Sequence, residues 1–97
     1  MPKAKKESDS SLLFPDGHIL RIRVWEVAEP VSPSRHRFKY SCFYGRPGER
    51  VILYDNERGK GDHIHRGERE ESYQFKDIET LIADFLADVH RVRGGIK

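Results

Sequence analysis

The sequence predicts an α+β fold: a single antiparallel sheet of four to six strands with one C-terminal amphipathic helix packed on one face. Two observations carry this. Short runs of alternating apolar and polar residues, separated by Gly, Pro and Asn turns, fill residues 18–75. Then Ile78, Leu81, Ile82, Phe85, Leu86 and Val89 recur at helical spacing, forming one apolar stripe. A chain of 97 residues can build one domain around one core layer. Residues 1–10 are polar and lysine-rich and are expected to be a disordered tail. That leaves residues 11–93 as a single α+β domain.

A first short strand is expected over residues 11–14. Phe14-Pro15-Asp16-Gly17 reads as a type I turn, with Pro second and Gly fourth. Residues 18–29 form the next strand, with Leu20, Ile22 and Val24 inward and Arg21 and Arg23 outward. Trp25 and Val27 have the opposite parity, which predicts a bulge after Val24. Pro30 and Pro33 mark a loop over residues 29–34. Residues 35–44 alternate most clearly: Phe38, Tyr40, Cys42 and Tyr44 share the core face, opposite Arg35, Arg37 and Lys39. Arg46-Pro47-Gly48-Glu49 suits a type II turn, since Gly48 can adopt positive φ. Strands over 50–55, 62–66 and 71–75 follow, the first two joined by the loop NERGKG. Asp77 is the expected N-cap of the helix and Gly94-Gly95 its end.

Composition narrows the setting. The chain is 35% charged and 36% hydrophobic, and no apolar run approaches the roughly 18 residues of a membrane span. The N-terminus has no apolar run of a secretory signal. Cys42 is the only cysteine and has no internal partner. A cytoplasmic protein without membrane contact is expected. The net charge of +2 conceals a division. Seven basic residues face three acidic ones between His18 and Arg50, and seven acidic residues face two basic ones between Glu68 and Asp88. A basic face suits a phosphate-bearing ligand.

The segment from Tyr54 to His65, YDNERGKGDHIH, is the richest in chemistry. On a strand His63 and His65 project from one face, and Ile64 between them points to the core. With one sheet face covered by the helix, both imidazoles should emerge with the arginines on the other. Two histidines can serve as general base and general acid. RNA carries its own nucleophile, so such a pair plus cations suffices for cleavage without a metal. Lys60, Arg21, Arg23, Arg37 and Lys39 are the candidate phosphate-binding residues. Asp55 could orient a histidine. The blander reading of His-x-His is solvated surface. A metal chelate completed by Asp62 or Asp55 is the weaker alternative: there is no second histidine cluster, and Asp62 should face away from His63. No metal or cofactor is therefore expected. The two glycines around Lys60 could hold a phosphate, but the loop lacks Walker A spacing. Phe38 and Tyr40 read as core; Phe43 points outward and is the better base-stacking candidate.

The run YDNERGKGDHIH, a short acidic strand, and LIADFLADVHRVR together resemble the TumE-type toxins of type II toxin–antitoxin systems. The resemblance is clear over roughly residues 54–90 and looser before them. Its hallmark is Tyr54-Asp55-Asn56 with Gly61-Asp62-His63 and His65. It implies a toxin role, a cognate helix-turn-helix antitoxin as partner and action on RNA. The residues and the resemblance together lead to the expectation of a metal-independent ribonuclease using His63, His65 and Asp55. The alternative is a non-catalytic module that binds nucleic acid or protein through the open basic face. Neither fixes an oligomeric state, and a homodimer is compatible with both.

Overall fold

The computed structural model describes residues 5–94. Six strands run in sequence order as an antiparallel meander: β1 (Lys5–Leu13), β2 (Ile19–Glu26), β3 (Phe38–Arg46), β4 (Glu49–Glu57), β5 (Gly61–Arg66) and β6 (Arg69–Ser72). One helix, α1 (Ile78–Val92), lies across β3 and β4. The fold class is the one the sequence predicts.

The core forms where the alternating strands meet the helical stripe. Leu20, Ile22 and Val24 of β2 and Tyr40, Cys42 and Tyr44 of β3 are buried. So are Ile52 and Tyr54 of β4, and Ile64 of β5. Leu81, Phe85 and Val89 of α1 close over them. Phe85 meets the Tyr54 ring edge-on at 5.7 Å between centroids. Burial pushes the Cys42 thiol up to about 12, with the Asp55 carboxylate adding to the rise, so it is an inert core residue.

The helix starts as expected. Asp77 is extended and accepts a hydrogen bond from the Thr80 amide at 2.6 Å. Gly94, at φ +77°, takes the left-handed position past the end. Both predicted turns form. The Gly17 amide donates to the Phe14 carbonyl at 3.0 Å, and Gly48 has φ +79°.

Besides the last strand, which spans Arg69–Ser72 rather than residues 71–75, three details differ from expectation. Strand β1 reaches back to Lys5, into the stretch expected as a disordered tail. Its backbone pairs with β2 along Ser8 to Leu13. An edge strand needs ladder hydrogen bonds rather than apolar side chains, and a polar edge also discourages pairing with other chains. Second, β2 runs in unbroken register through Trp25, opposite Lys39. The register shift lies in β1, between Lys6 and Ser8; Trp25 simply belongs to the open face. Third, Arg35 and Arg37 precede β3 in an exposed loop rather than lying in the strand.

That loop is tied to the hairpin end by a polar knot. Asp62 accepts from Ser34 Oγ, from Tyr40 OH at 2.7 Å and from His36 Nε2 at 2.7 Å. His36 Nδ1 accepts from the Phe38 amide, so the proton of the neutral ring sits on Nε2. Burial raises the Asp62 carboxyl, but these three donors outweigh it and hold it below its ordinary value.

A second knot anchors the helix. Asp88 is buried on α1 and accepts from Tyr54 OH, Arg91 and, at 2.8 Å, Arg66 Nη2. Burial raises its carboxyl, but Tyr54 and Arg66 overcome that and hold it below 3.8. A depressed carboxyl stabilises the fold at pH above its unfolded value and loses that contribution as pH falls through the folded one. Replacing Asp88 with Ala removes the buried acceptor of Tyr54 OH and of Arg66, which keeps its pairing with Glu71, and should cost about 2 kcal/mol in urea denaturation at pH 7. The gap between wild type and variant should narrow below pH 3.8.

Candidate functional site

The antiparallel register of β4 and β5 builds the site. Asp55 pairs with His63 and Leu53 with His65, while Tyr54 and Ile64 between them enter the core under the helix. Both histidines therefore lie on the face opposite α1, as the alternation predicts. They are not solvated, however. His63 is 4% and His65 8% exposed, which excludes the reading of this pair as ordinary wet surface.

The two rings meet edge to face with centroids 4.7 Å apart. His63 Nδ1 lies 2.9 Å from the Gly61 carbonyl. Its Nε2 lies 2.8 Å from Asp55 Oδ1, and neither atom has an aligned hydrogen-bond partner among the described residues. Glu70 arrives from β6, with Oε2 at 3.3 Å from His65 Nε2 and 3.7 Å from His63 Nε2. Glu57 Oε1 stands 3.9 Å from the same His63 nitrogen. Lys60 crosses over the group to Glu70 at 2.7 Å. Beside them a cleft of about 320 Å³ opens at the β5–β6 edge, lined by Lys60, His63, Glu70 and Ser72 among others.

The electrostatics separate the acids from the bases. Burial raises the Asp55 carboxyl, against the opposing pull of His63 and Lys39. Burial lowers His65, and the charges of Arg50 and His63 lower it further, with Glu70 opposing them. His65 is thus held toward the neutral imidazole. The Lys60 ammonium holds Glu70 below its ordinary value. Two imidazoles, a raised carboxyl and a cation in one partly dry cleft can donate, accept and shuttle protons.

The predicted phosphate-binding residues divide. Lys60 lines the cleft. Lys39 shares the face, but its ammonium is engaged by the Asn56 carbonyl. Arg21 and Arg23 share the face and sit in the same cross-strand rows as the histidines: Arg21–Phe43–Leu53–His65 and Arg23–Ser41–Asp55–His63. Each row spans three strand spacings, about 14 Å in all. These arginines form a separate basic patch, Arg21 pairing with Asp9 at 3.6 Å and Arg23 lying over Trp25 at 5.8 Å. Arg37 stands in the loop before β3 and is exposed. Phe43 lies half-buried in the middle of the face, between the patch and the histidines.

The glycine loop is less available to a phosphate than its sequence suggests. The Gly59 amide donates to the Ser32 carbonyl at 2.7 Å, and the Lys60 amide to the Glu57 carbonyl at 3.0 Å. Asp62 faces away from His63, as expected, into its own knot. Sequence reasoning missed Glu70, Glu57 and Arg50. Counting the β5–β6 turn would have found Glu70, because a tight Arg66–Arg69 hairpin sets it opposite His65.

No curated protein and no solved structure matches this chain. A protein-family model described as "Toxin TumE" matches residues 5–93, which include every strand, the helix and all the residues of the cleft. The match spans nearly the whole chain, and the protein belongs to the TumE toxin family.

Proposed function

We propose that this toxin cleaves RNA at the His63–His65 cleft by acid–base chemistry. The observation that carries the reading is the close, buried pair of imidazoles between Asp55 and Glu70, with Lys60 at the mouth. His65, held neutral, is the base that takes the proton of the 2′-hydroxyl. The oxygen attacks the adjacent phosphorus, the P–O5′ bond breaks, and a 2′,3′-cyclic phosphate forms. His63, with Asp55 at its Nε2, delivers a proton to the leaving 5′ oxygen. Lys60 leaves Glu70 and neutralises charge on the phosphorane; the pair is solvent-exposed and therefore weak. The Arg21–Arg23 patch holds the strand at a distance from the cut.

Family membership brings an antitoxin with it, and we propose the helix-turn-helix type as this partner. Among the described residues no helix is long and apolar enough to cross a membrane.

The purified protein should cut RNA in EDTA and leave cyclic-phosphate ends. A His63→Ala/His65→Ala double variant should lose at least about 100-fold in rate, with a circular dichroism spectrum and melting curve confirming that it folds. Wild-type cutting by the folded double variant would remove the mechanism.

A second reading, binding without cleavage, is favoured by the distance between the arginine patch and the histidines. Under both readings RNA affinity should fall steeply between low and moderate salt, by filter binding. Arg21→Ala/Arg23→Ala should flatten that dependence. In the cleavage reading this variant should weaken binding far more than the rate of the cut at saturating RNA.

A further inference from the structure

We propose that His63, His65, Glu70 and Asp55 form a binding site for a divalent transition-metal ion of the zinc class. The argument begins with one hydrogen bond. A backbone carbonyl only accepts, so the contact from the Gly61 oxygen places the proton of neutral His63 on Nδ1. Nε2 then presents a lone pair. That lone pair is buried, lacks a hydrogen-bond partner, and faces Asp55 Oδ1, itself buried and without one. Two lone pairs 2.8 Å apart repel unless a positive charge lies between them. A histidine whose far nitrogen is fixed by a carbonyl, with its near nitrogen directed at carboxylates, is the usual arrangement of a metal-ligating imidazole.

The spacing fits an ion. Ligands about 2.1 Å from a common centre stand about 3.4 Å apart in a tetrahedron and about 3.0 Å apart at an octahedral right angle. The separations here are 3.3 Å for His65–Glu70, 3.7 Å for His63–Glu70 and 2.8 Å for His63–Asp55. His63, His65 and Glu70 each offer a donor atom within 4.8 Å of the others, and so do Asp55, Glu57 and His63. Two imidazole nitrogens select a zinc-class ion over magnesium or calcium, which prefer oxygen. Lys60 holds Glu70 in the ion-free arrangement and must release it on binding. Three carboxylates close to the two imidazoles attract a dication.

One consequence rests on the acid–base reading above. An ion on both imidazoles occupies the lone pairs that proton transfer needs, so bound zinc should stop cleavage.

Calorimetric titration of the chelator-stripped full chain with Zn²⁺ should show one tight site per chain. Cobalt should bind there with visible absorption bands of a nitrogen–oxygen site. His63→Ala and His65→Ala should each weaken binding by about 100-fold and Glu70→Gln by about 10-fold. Glu70 is exposed on an edge strand, so its variant tests the site with the core intact. Absence of tight binding to wild type, or equal binding by a folded Glu70→Gln variant, would overturn the site. Cleavage separates the two proposals: tight binding with zinc-stimulated cutting leaves the site standing and sinks the acid–base reading alone.

Discussion

The register between β4 and β5 is the constraint on which the rest depends. Side chains on a strand alternate between faces, so a slip of one residue would drive His63 and His65 into the core and expel Ile64. Tyr54 and Ile64, cross-strand partners beneath Phe85, prevent that slip. The helix therefore serves the site without touching it. By covering one face it fixes which residues of the hairpin remain on the other, and the Tyr54–Asp88 contact fastens the helix to the strand that carries Asp55.

The hairpin divides its polar residues between two environments with different outcomes. Asp62, on the helix side, is saturated by three donors, and its carboxyl is depressed. Asp55, on the open side, has burial without full compensation, and its carboxyl is raised. Neighbouring strand positions thus yield one acid whose hydrogen bonds are complete and one with bonding capacity to spare. A fold selected for stability alone would satisfy both. Of the four buried side-chain atoms without a hydrogen-bond partner among the described residues, two face each other at Asp55 and His63, as in a site shaped for a ligand or a reaction.

Much of this was legible in the sequence because it follows from periodicity. The helix, its Asp77 cap, the two proline turns and the outward histidines depend on spacings of two and 3.6 residues. What periodicity gives is a face, not a position on it. Arg21 and Arg23 have the parity of the histidines and share cross-strand rows with them, yet three strand spacings intervene. Strand order supplies that distance, and one sequence does not. Glu70 escaped notice for a related reason: its strand is four residues long, exposed throughout and without an apolar pattern to set its register. Burial of the histidines was equally hidden, since the carboxylates nearest them come from the neighbouring strands, Asp55 from β4 and Glu70 from β6.

The Lys60–Glu70 pair stands at the mouth of the cleft. It ties the β4–β5 loop to the edge strand β6, and both partners are well exposed to water. Solvent screening keeps such a pair weak, so it opens at little cost. Opening it changes the charge of the cleft in two ways at once. Lys60 becomes free to meet an anion, and Glu70 becomes free to meet a cation. On the two proposals above, a phosphate and a metal ion would each reach the imidazoles by breaking this same contact. Those proposals make this exposed pair, rather than either buried histidine, the point at which the identity of the ligand would be decided.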